Sequence, residues 1–390
     1  MVFSALLGFV SRTSGGSWRA TVVAQGFPFS AAERGLPRTL TTAGPANHRT
    51  GSRERSPLLP WCQRHATPVA RYHANTRPDI SSAGHVSRFV SRKGMSTGSN
   101  PAMATAAAGE PSGGGVKFVK TEAAARRNAD PESVAFVTGA NRGIGLEVTR
   151  QLLERAKAGT VVAACRDPSS AVALHALGRM AGNENRLDVV KMDVKDQTSL
   201  ETAAEHVRST YGRVDLLFNV AGVLGDGKNT PGPERSVRAM DRDWLRHTLE
   251  VNTIGPMMLV AALAPLLESP AKKGDAGARP PSVVVNFSAR VGSIGDNGLG
   301  GWHSYRMSKS ALNMATKGIS IELRRRRVWA FSYHPGTTDT GLSEPFQANV
   351  KPEKLFTPDF TVSQVLGIVD SMTEDLSGGF YAFDGSRIVW

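Results

Sequence analysis

Val134-Ala135-Phe136-Val137-Thr138-Gly139-Ala140-Asn141-Arg142-Gly143-Ile144-Gly145 runs from an unbroken apolar stretch into a turn with three glycines, and a helical pattern over 146–158 follows directly. Apolar runs bounded by glycine suit strands covered on both faces. Each glycine of the turn has its own reason. Without a Cβ, Gly139 can take a positive φ, Gly143 lets a bulky ligand touch the backbone, and Gly145 allows the helix to pack close to the strand. Asn141, Arg142 and Ile144 complete the turn, and the helix start would offer free N–H groups and a positive dipole end to a pyrophosphate. A tight turn with no ligand has the same glycines, so the surrounding sequence decides.

The alternation continues to the C-terminus. Apolar runs at 134–137, 160–164, 187–194, 216–220, 283–287, 328–333 and 380–383 alternate with segments of helical period. Over residues 133–390 this pattern predicts a single doubly wound, Rossmann-type α/β domain with a seven-stranded parallel sheet. The apolar stretch 251–267 is interrupted by Asn252, Gly255, Pro256 and Pro265, which predicts a buried helix and no membrane span.

The leading stretch is different material. Residues 1–115 carry 13 Lys and Arg against 4 Asp and Glu, and the remaining 275 carry 34 against 30, so most of the net charge of +13 lies ahead of the domain. Arginines recur there among Ser, Thr, Ala, Gly and Pro, which is the composition of an organellar transit peptide for a chloroplast or mitochondrion. A disordered extension that cannot bury a core has the same composition, and translation from Met95 or Met103 would give a cytoplasmic protein. Residues 1–93 are therefore expected to be a transit peptide or disordered extension, and residues 94–132 a flexible linker. The near balance of charge in the remainder argues against nucleic-acid binding. Its basic run Arg324-Arg325-Arg326-Arg327 ends a helical segment, where cations suit the negative dipole end. Two cysteines, Cys62 and Cys165, exclude a disulfide framework and a Cys-based zinc site, and no metal is expected.

At the end of the second expected strand, where an acid would accept from an adenosine ribose, the chain has Cys165-Arg166. An acid there would repel a 2′-phosphate, whereas Arg166, with Arg142, can pair with it, so NADP(H) is favoured over NAD(H). Asp167 next door leaves Arg166 the alternative of a solvated loop charge.

Tyr305-Arg306-Met307-Ser308-Lys309 opens a segment with helical periodicity after the fifth strand. Four residues apart on a helix means one face. A phenol, with a pKa near 10 in water, does acid–base work at neutral pH only when its phenolate is stabilised, and an ammonium one turn away does this.

With these residues in place, positions 133–390 resemble the short-chain dehydrogenase/reductase family. The likeness rests on the glycine turn, Asn219-Val220-Ala221-Gly222, Asn252, Tyr305 with Lys309, and Pro335-Gly336. The stretches 288–297 (SARVGSIGDN), 301–305 (GWHSY) and 383–390 (FDGSRIVW) are similar to the C-factor/sniffer-like carbonyl reductase branch. The resemblance implies an NADP(H)-dependent oxidoreductase that reduces an aldehyde, ketone or quinone to an alcohol. It implies Tyr305 as general acid, Lys309 lowering its pKa and binding the nicotinamide ribose, and Asn252 holding a water behind Lys309. Asp193 and Val194, closing the third strand, would border the adenine, Asn219, Ala221 and Gly222 would line the cleft, and Pro335, Gly336 and Thr340 would sit against the nicotinamide. A small-molecule carbonyl is the implied substrate, and a homo-oligomer is implied by family habit. A binding protein that keeps the fold for signalling or redox sensing is the alternative, since fold alone does not establish activity.

One departure stands out. The family places its carbonyl-orienting serine second in a Ser-Ser pair, and here that place is Ala289. Ser288 is the first candidate for the role, reached through an inserted turn, Ser293 is the second, and the absence of such a serine is the third. The stretch 341–358, with Phe346, Gln347 and Phe356, would cover the substrate, and Trp302 and His303 stand beside Tyr305 in sequence.

Overall fold

Strand β1, Val134–Thr138, has all five side chains buried, and it stands inside a seven-stranded sheet. In the computed structural model, β2 (Thr160–Cys165), β3 (Leu187–Lys191), β4 (Leu216–Asn219), β5 (Ser282–Phe287), β6 (Val328–His334) and β7 (Phe380–Ala382) complete it in the order β7-β6-β5-β4-β1-β2-β3. Every neighbouring pair is parallel. The strand order reverses between β1 and β4, and crevices at such switch points lie at the C-terminal ends of the strands. The structure describes residues 115–390 apart from 156–158, 184, 271–274 and 276, together with 9–12 and 18–21.

Successive side chains of each strand face opposite layers. Ala135, Val137, Val161, Ala163, Phe218, Val283, Val285 and Phe331 pack against α2 (Gly143–Arg155), α3 (Val172–Gly178) and α8 (Pro358–Ser371). Val134, Phe136, Val162, Ala164, Leu217, Val284 and Ala330 pack on the other side, against α4 (Gln197–Thr210), α6 (Gly255–Leu267) and α7 (His303–Glu322). Two covered faces explain why the strands read as continuous apolar runs. Helix α5 (Arg242–Leu249) runs into α6 through a π-helical turn, Glu250–Ile254. The joined helix, Arg242–Leu267, is long and apolar enough by composition to cross a bilayer. Its Leu259, Val260, Leu263, Leu266 and Leu267 are spent on the sheet core.

Two expectations change. The third strand stops at Lys191, not 194, because Asp193 turns the chain and accepts from Lys195 N at 3.0 Å. Within the expected linker, residues 115–132 are docked on the domain. Helix α1 (Glu122–Ala129) is capped by Thr121 and buries Ala124 and Arg127. Val116 N donates to Gly385 O at 2.7 Å and Thr121 N to Asp370 O at 2.9 Å. Arg127, 1 % exposed, donates to Pro281 O and Val369 O, and burial lowers its pKa to about 10. Alanines and arginines in this stretch make an amphipathic helix look like low-complexity sequence. Within 1–93, Phe9–Arg12 and Trp18–Thr21 pair as antiparallel strands; the rest of the expected transit peptide, and 94–114, lie outside the described residues. The four-arginine run lies just beyond α7, where 324–326 form a 3-10 turn: Arg324 pairs with Glu374 at 2.5 Å, Arg326 lies 3.6 Å from Glu268, and Arg327 takes φ +57° to leave the turn.

Candidate active site

The glycine turn leaves β1 at the switch point. Gly139 has φ +64° and Gly143 φ +54°, conformations that L side chains rarely adopt. A methyl group on Gly145 would lie 2.3 Å from Gly139 O, so only glycine lets α2 begin this close to the strand. The first turn of α2 carries no acid, which leaves its positive end open to an anion. Asn141 and Arg142 are exposed on the turn, and Ile144 packs against the core behind it. Gly143 faces the loop after β6, where a methyl group on it would meet Thr340 Cγ2 at 3.4 Å.

Arg166 is exposed just beyond β2. Its neighbour Asp167 forms no ion pair with it among the described residues, and the Asp167 carboxylate instead accepts from Ser169 N at 3.1 Å and Ser169 Oγ at 2.5 Å. Arg166 helps to hold the nearby His247 below its ordinary pKa, after burial and Lys195. Asp193 and Val194 follow β3, and Val194 O is the atom that a side chain at Gly255, the start of α6, would strike.

Thr138, the last residue of β1, fixes the loop after β4: its Oγ accepts from Val220 N and Ala221 N, both at 3.0 Å. Asn219 donates to Asn286 Oδ1 at 2.8 Å, and its own buried Oδ1 has no partner. A methyl group on Gly222 would stand 3.3 Å from Asn252 Oδ1 and 3.7 Å from Lys309 Nζ, so loop, π-turn and α7 converge there. Asn252 lies inside the π-turn, a distortion frequent at functional sites. Its amide is tied to protein on both sides: Oδ1 accepts from Val223 N at 2.8 Å, and Nδ2 donates to Val223 O at 2.9 Å and Ser308 Oγ at 3.0 Å.

Tyr305 sits in the first turn of α7 and Lys309 one turn on. Lys309 is 4 % exposed; its Nζ donates to Phe287 O at 2.7 Å and lies 5.6 Å from the centre of the Tyr305 ring. Burial lowers the Lys309 pKa to about 7 and pushes the Tyr305 phenol above its ordinary value. Burial is the influence that acts on the phenol here, and it works against acidification. Gly292 permits the approach of α7, because a methyl group there would lie 2.7 Å from Lys309 Cβ.

Ser288 is buried just beyond β5. Its hydroxyl donates to Asn313 Oδ1 at 2.7 Å, eight residues further along α7. Ser293 is buried and accepts from Asp296 N at 3.0 Å, which leaves its hydroxyl proton uncommitted among the described residues. Pro335-Gly336 follows β6, with Gly336 at φ +71° and packed on Phe356. The covering stretch brings Phe346 to 5.4 Å from Trp302, whose ring lies 6.4 Å from that of Tyr305. Phe356 instead turns inward, onto Phe383.

The model of the short chain dehydrogenases matches residues 133–351. The chain belongs to the short-chain dehydrogenase family. Within that family it is 31 % identical over 258 residues to the 1-hydroxy-2-glutathionyl-2-methyl-3-butene dehydrogenase of Rhodococcus sp. (strain AD45), covering 66 % of this chain and 100 % of the relative. Among solved structures, the NADPH-bound carbonyl reductase from chicken fatty liver superposes with TM-score 0.57 at 30 % identity, over 66 % of this chain and 99 % of that one. The carbonyl reductase Sniffer of D. melanogaster does so with TM-score 0.56 at 27 % identity, over 66 % and 99 %. The likeness thus runs to the sniffer-like carbonyl reductase branch of this short-chain dehydrogenase family.

Sequence reasoning missed three features of this short-chain dehydrogenase site. Glu234, Asn313 and the left-handed backbone of Trp302 (φ 51°) all act on α7. Glu234 carries no local signal, because its partner is seventy positions away. Asn313 carries no local signal either, because its partner Ser288 is twenty-five positions away.

Proposed function

We propose that the chain is an NADP(H)-dependent reductase that converts an aldehyde, ketone or quinone to an alcohol, with Tyr305 as the proton donor. The observation that carries this reading is the buried Lys309, whose ammonium stands beside Gly222 in the loop after β4 and 5.6 Å from the centre of the Tyr305 ring. The residues fit a dinucleotide phosphate: the turn of Gly139, Gly143 and Gly145 with the acid-free start of α2 for the pyrophosphate, and Arg166 with Arg142 for a 2′-phosphate. Asp193 and Val194 would border the adenine, Asn219, Ala221 and Gly222 would line the cleft, and Pro335, Gly336 and Thr340 would sit against the nicotinamide. When bound, NADPH supplies the hydride that adds to the carbonyl carbon.

Tyr305 then delivers its proton to the developing alkoxide. A phenol kept neutral by burial is in the protonation state that reduction needs. Lys309 stabilises the resulting phenolate, and the Phe287 carbonyl fixes its ammonium beside the ring. Asn252 acts through position, tying the loop after β4 to α7. Trp302, with Phe346 against it, would give the substrate an apolar surface beside the Tyr305 ring. A screen of aldehydes, ketones and quinones with NADPH and NADH tests the reading on the full chain. Tyr305→Phe should lower kcat by about 10²–10⁴-fold, the usual worth of general acid catalysis, with NADPH affinity preserved; unchanged turnover would refute it. Self-association and import into an organelle with loss of the leader complete the proposal; light scattering and the mass of the mature N-terminus check them.

A further inference from the structure

We infer that Glu234 is a positioning residue for the proton donor, holding the first turn of α7 from the loop after β4. The inference rests on Tyr305 being that donor.

Glu234 is 4 % exposed. Its carboxylate accepts from Ser304 N at 3.1 Å and from Ser304 Oγ, and its carbonyl oxygen accepts from Trp302 N at 2.5 Å. No cation of the described residues pairs with it, and an unpaired buried carboxylate is expensive unless donors surround it. Here the donors are the two groups of Ser304 and the positive end of a 20-residue helix. Nothing local does this work: Trp302 precedes the helix with no side-chain acceptor, and its left-handed φ is held through Glu234 O.

The loop that delivers Glu234 is itself braced. Asp226 accepts from the N–H groups of Lys228, Asn229 and Thr230, and Gly232 packs so closely on Trp244 that a methyl group there would lie 2.3 Å from its Nε1. Tyr305 follows Ser304 directly. The two bonds on Ser304 therefore set where the helix begins and where the phenol points, and a displacement of about 1 Å at a reacting group costs up to about a hundredfold in rate.

Glu234→Gln keeps an acceptor for Ser304 N and fills the same space, whereas Glu234→Ala removes both acceptors. Glu234→Gln is expected to lower kcat about tenfold, with KM for NADPH and Tm nearly unchanged, and Glu234→Ala to lower kcat further. Hydrogen exchange at residues 303–309 should quicken in Glu234→Gln while the rest of α7 keeps its protection. In a Tyr305→Phe background, Glu234→Gln should cost nothing more, because its effect passes through the phenol. Equal kcat in Glu234→Gln and the parent, unchanged exchange, or the same tenfold loss added to Tyr305→Phe would each overturn the inference. If Tyr305→Phe alone keeps full turnover, the proposed function falls, and that outcome is separate from these.

Discussion

Lys309 stands over the face of Tyr305, 5.6 Å from the ring centre, while its ammonium is bonded to Phe287 O. The pair is therefore held by backbone as well as by helical spacing, and the two groups titrate in opposite directions under the same burial.

A pH profile follows from that burial. The folded Lys309 value, about 7, lies below the ordinary lysine value, so the positive charge is present at low pH and lost as pH rises through about 7. The phenol, shifted upward, stays protonated across this window. The parameter kcat/KM for NADPH reports the free enzyme; it should be highest below about pH 7 and decline above it. Lys309→Ala should lower the rate and abolish the decline. A profile that rises from pH 6 to 8 would contradict the assignment.

Arg166 should decide between the two dinucleotides. Its side chain is exposed, and Asp167 beside it bonds to Ser169. Arg166→Ala should reduce the NADPH over NADH preference in kcat/KM about tenfold to a hundredfold, the worth of about 1.5–3 kcal/mol for a hydrogen bond to a charged group. An unchanged ratio would remove Arg166 from the phosphate site.

The two serines should separate cleanly. Ser293→Ala should lower kcat about tenfold or more if its uncommitted proton orients the carbonyl, whereas Ser288→Ala should act mainly on stability by leaving Asn313 Oδ1 without its donor, a cost of about 1–3 kcal/mol. Thermal melts and initial rates on both variants check this. The reverse pattern would restore Ser288 to the chemistry.

Gly145→Ala should disable the glycine turn. The new methyl group would meet Gly139 O at 2.3 Å, backbone against backbone, so α2 must move away from β1. Overpacking of this kind costs about 1–3 kcal/mol; Tm should fall by several degrees and NADPH fluorescence titration should show weakened binding.

The sheet was legible because parallel strands with two covered faces write themselves as apolar runs, and all seven appear where those runs predict. The third was overextended, since Met192, Asp193 and Val194 look equally strand-like until the Asp193 turn is seen. Tyr305, Lys309 and the glycine turn were legible because helical spacing and absent side chains are local properties. Ser288 was not, as nothing in the run Ser288-Ala289 tells that its hydroxyl meets Asn313 across a helix. Glu234 belongs to the same class: its meaning depends on a contact between the loop after β4 and α7. The π-turn at Asn252 is likewise a property of how two helices join.

The docked arm ahead of β1 sets a downstream limit on N-terminal trimming. Scission beyond Val116 would strip the clasp between Val116 and Gly385, and scission beyond Arg127 would also cut from the chain the side chain bonded to Pro281 O and Val369 O, so a maturation protease that leaves these contacts whole must act before Val116. Met95 and Met103 both lie upstream of that point. A shortened translation product and an imported, trimmed one would therefore carry the same intact body, and the two routes would differ in address but not in chemistry.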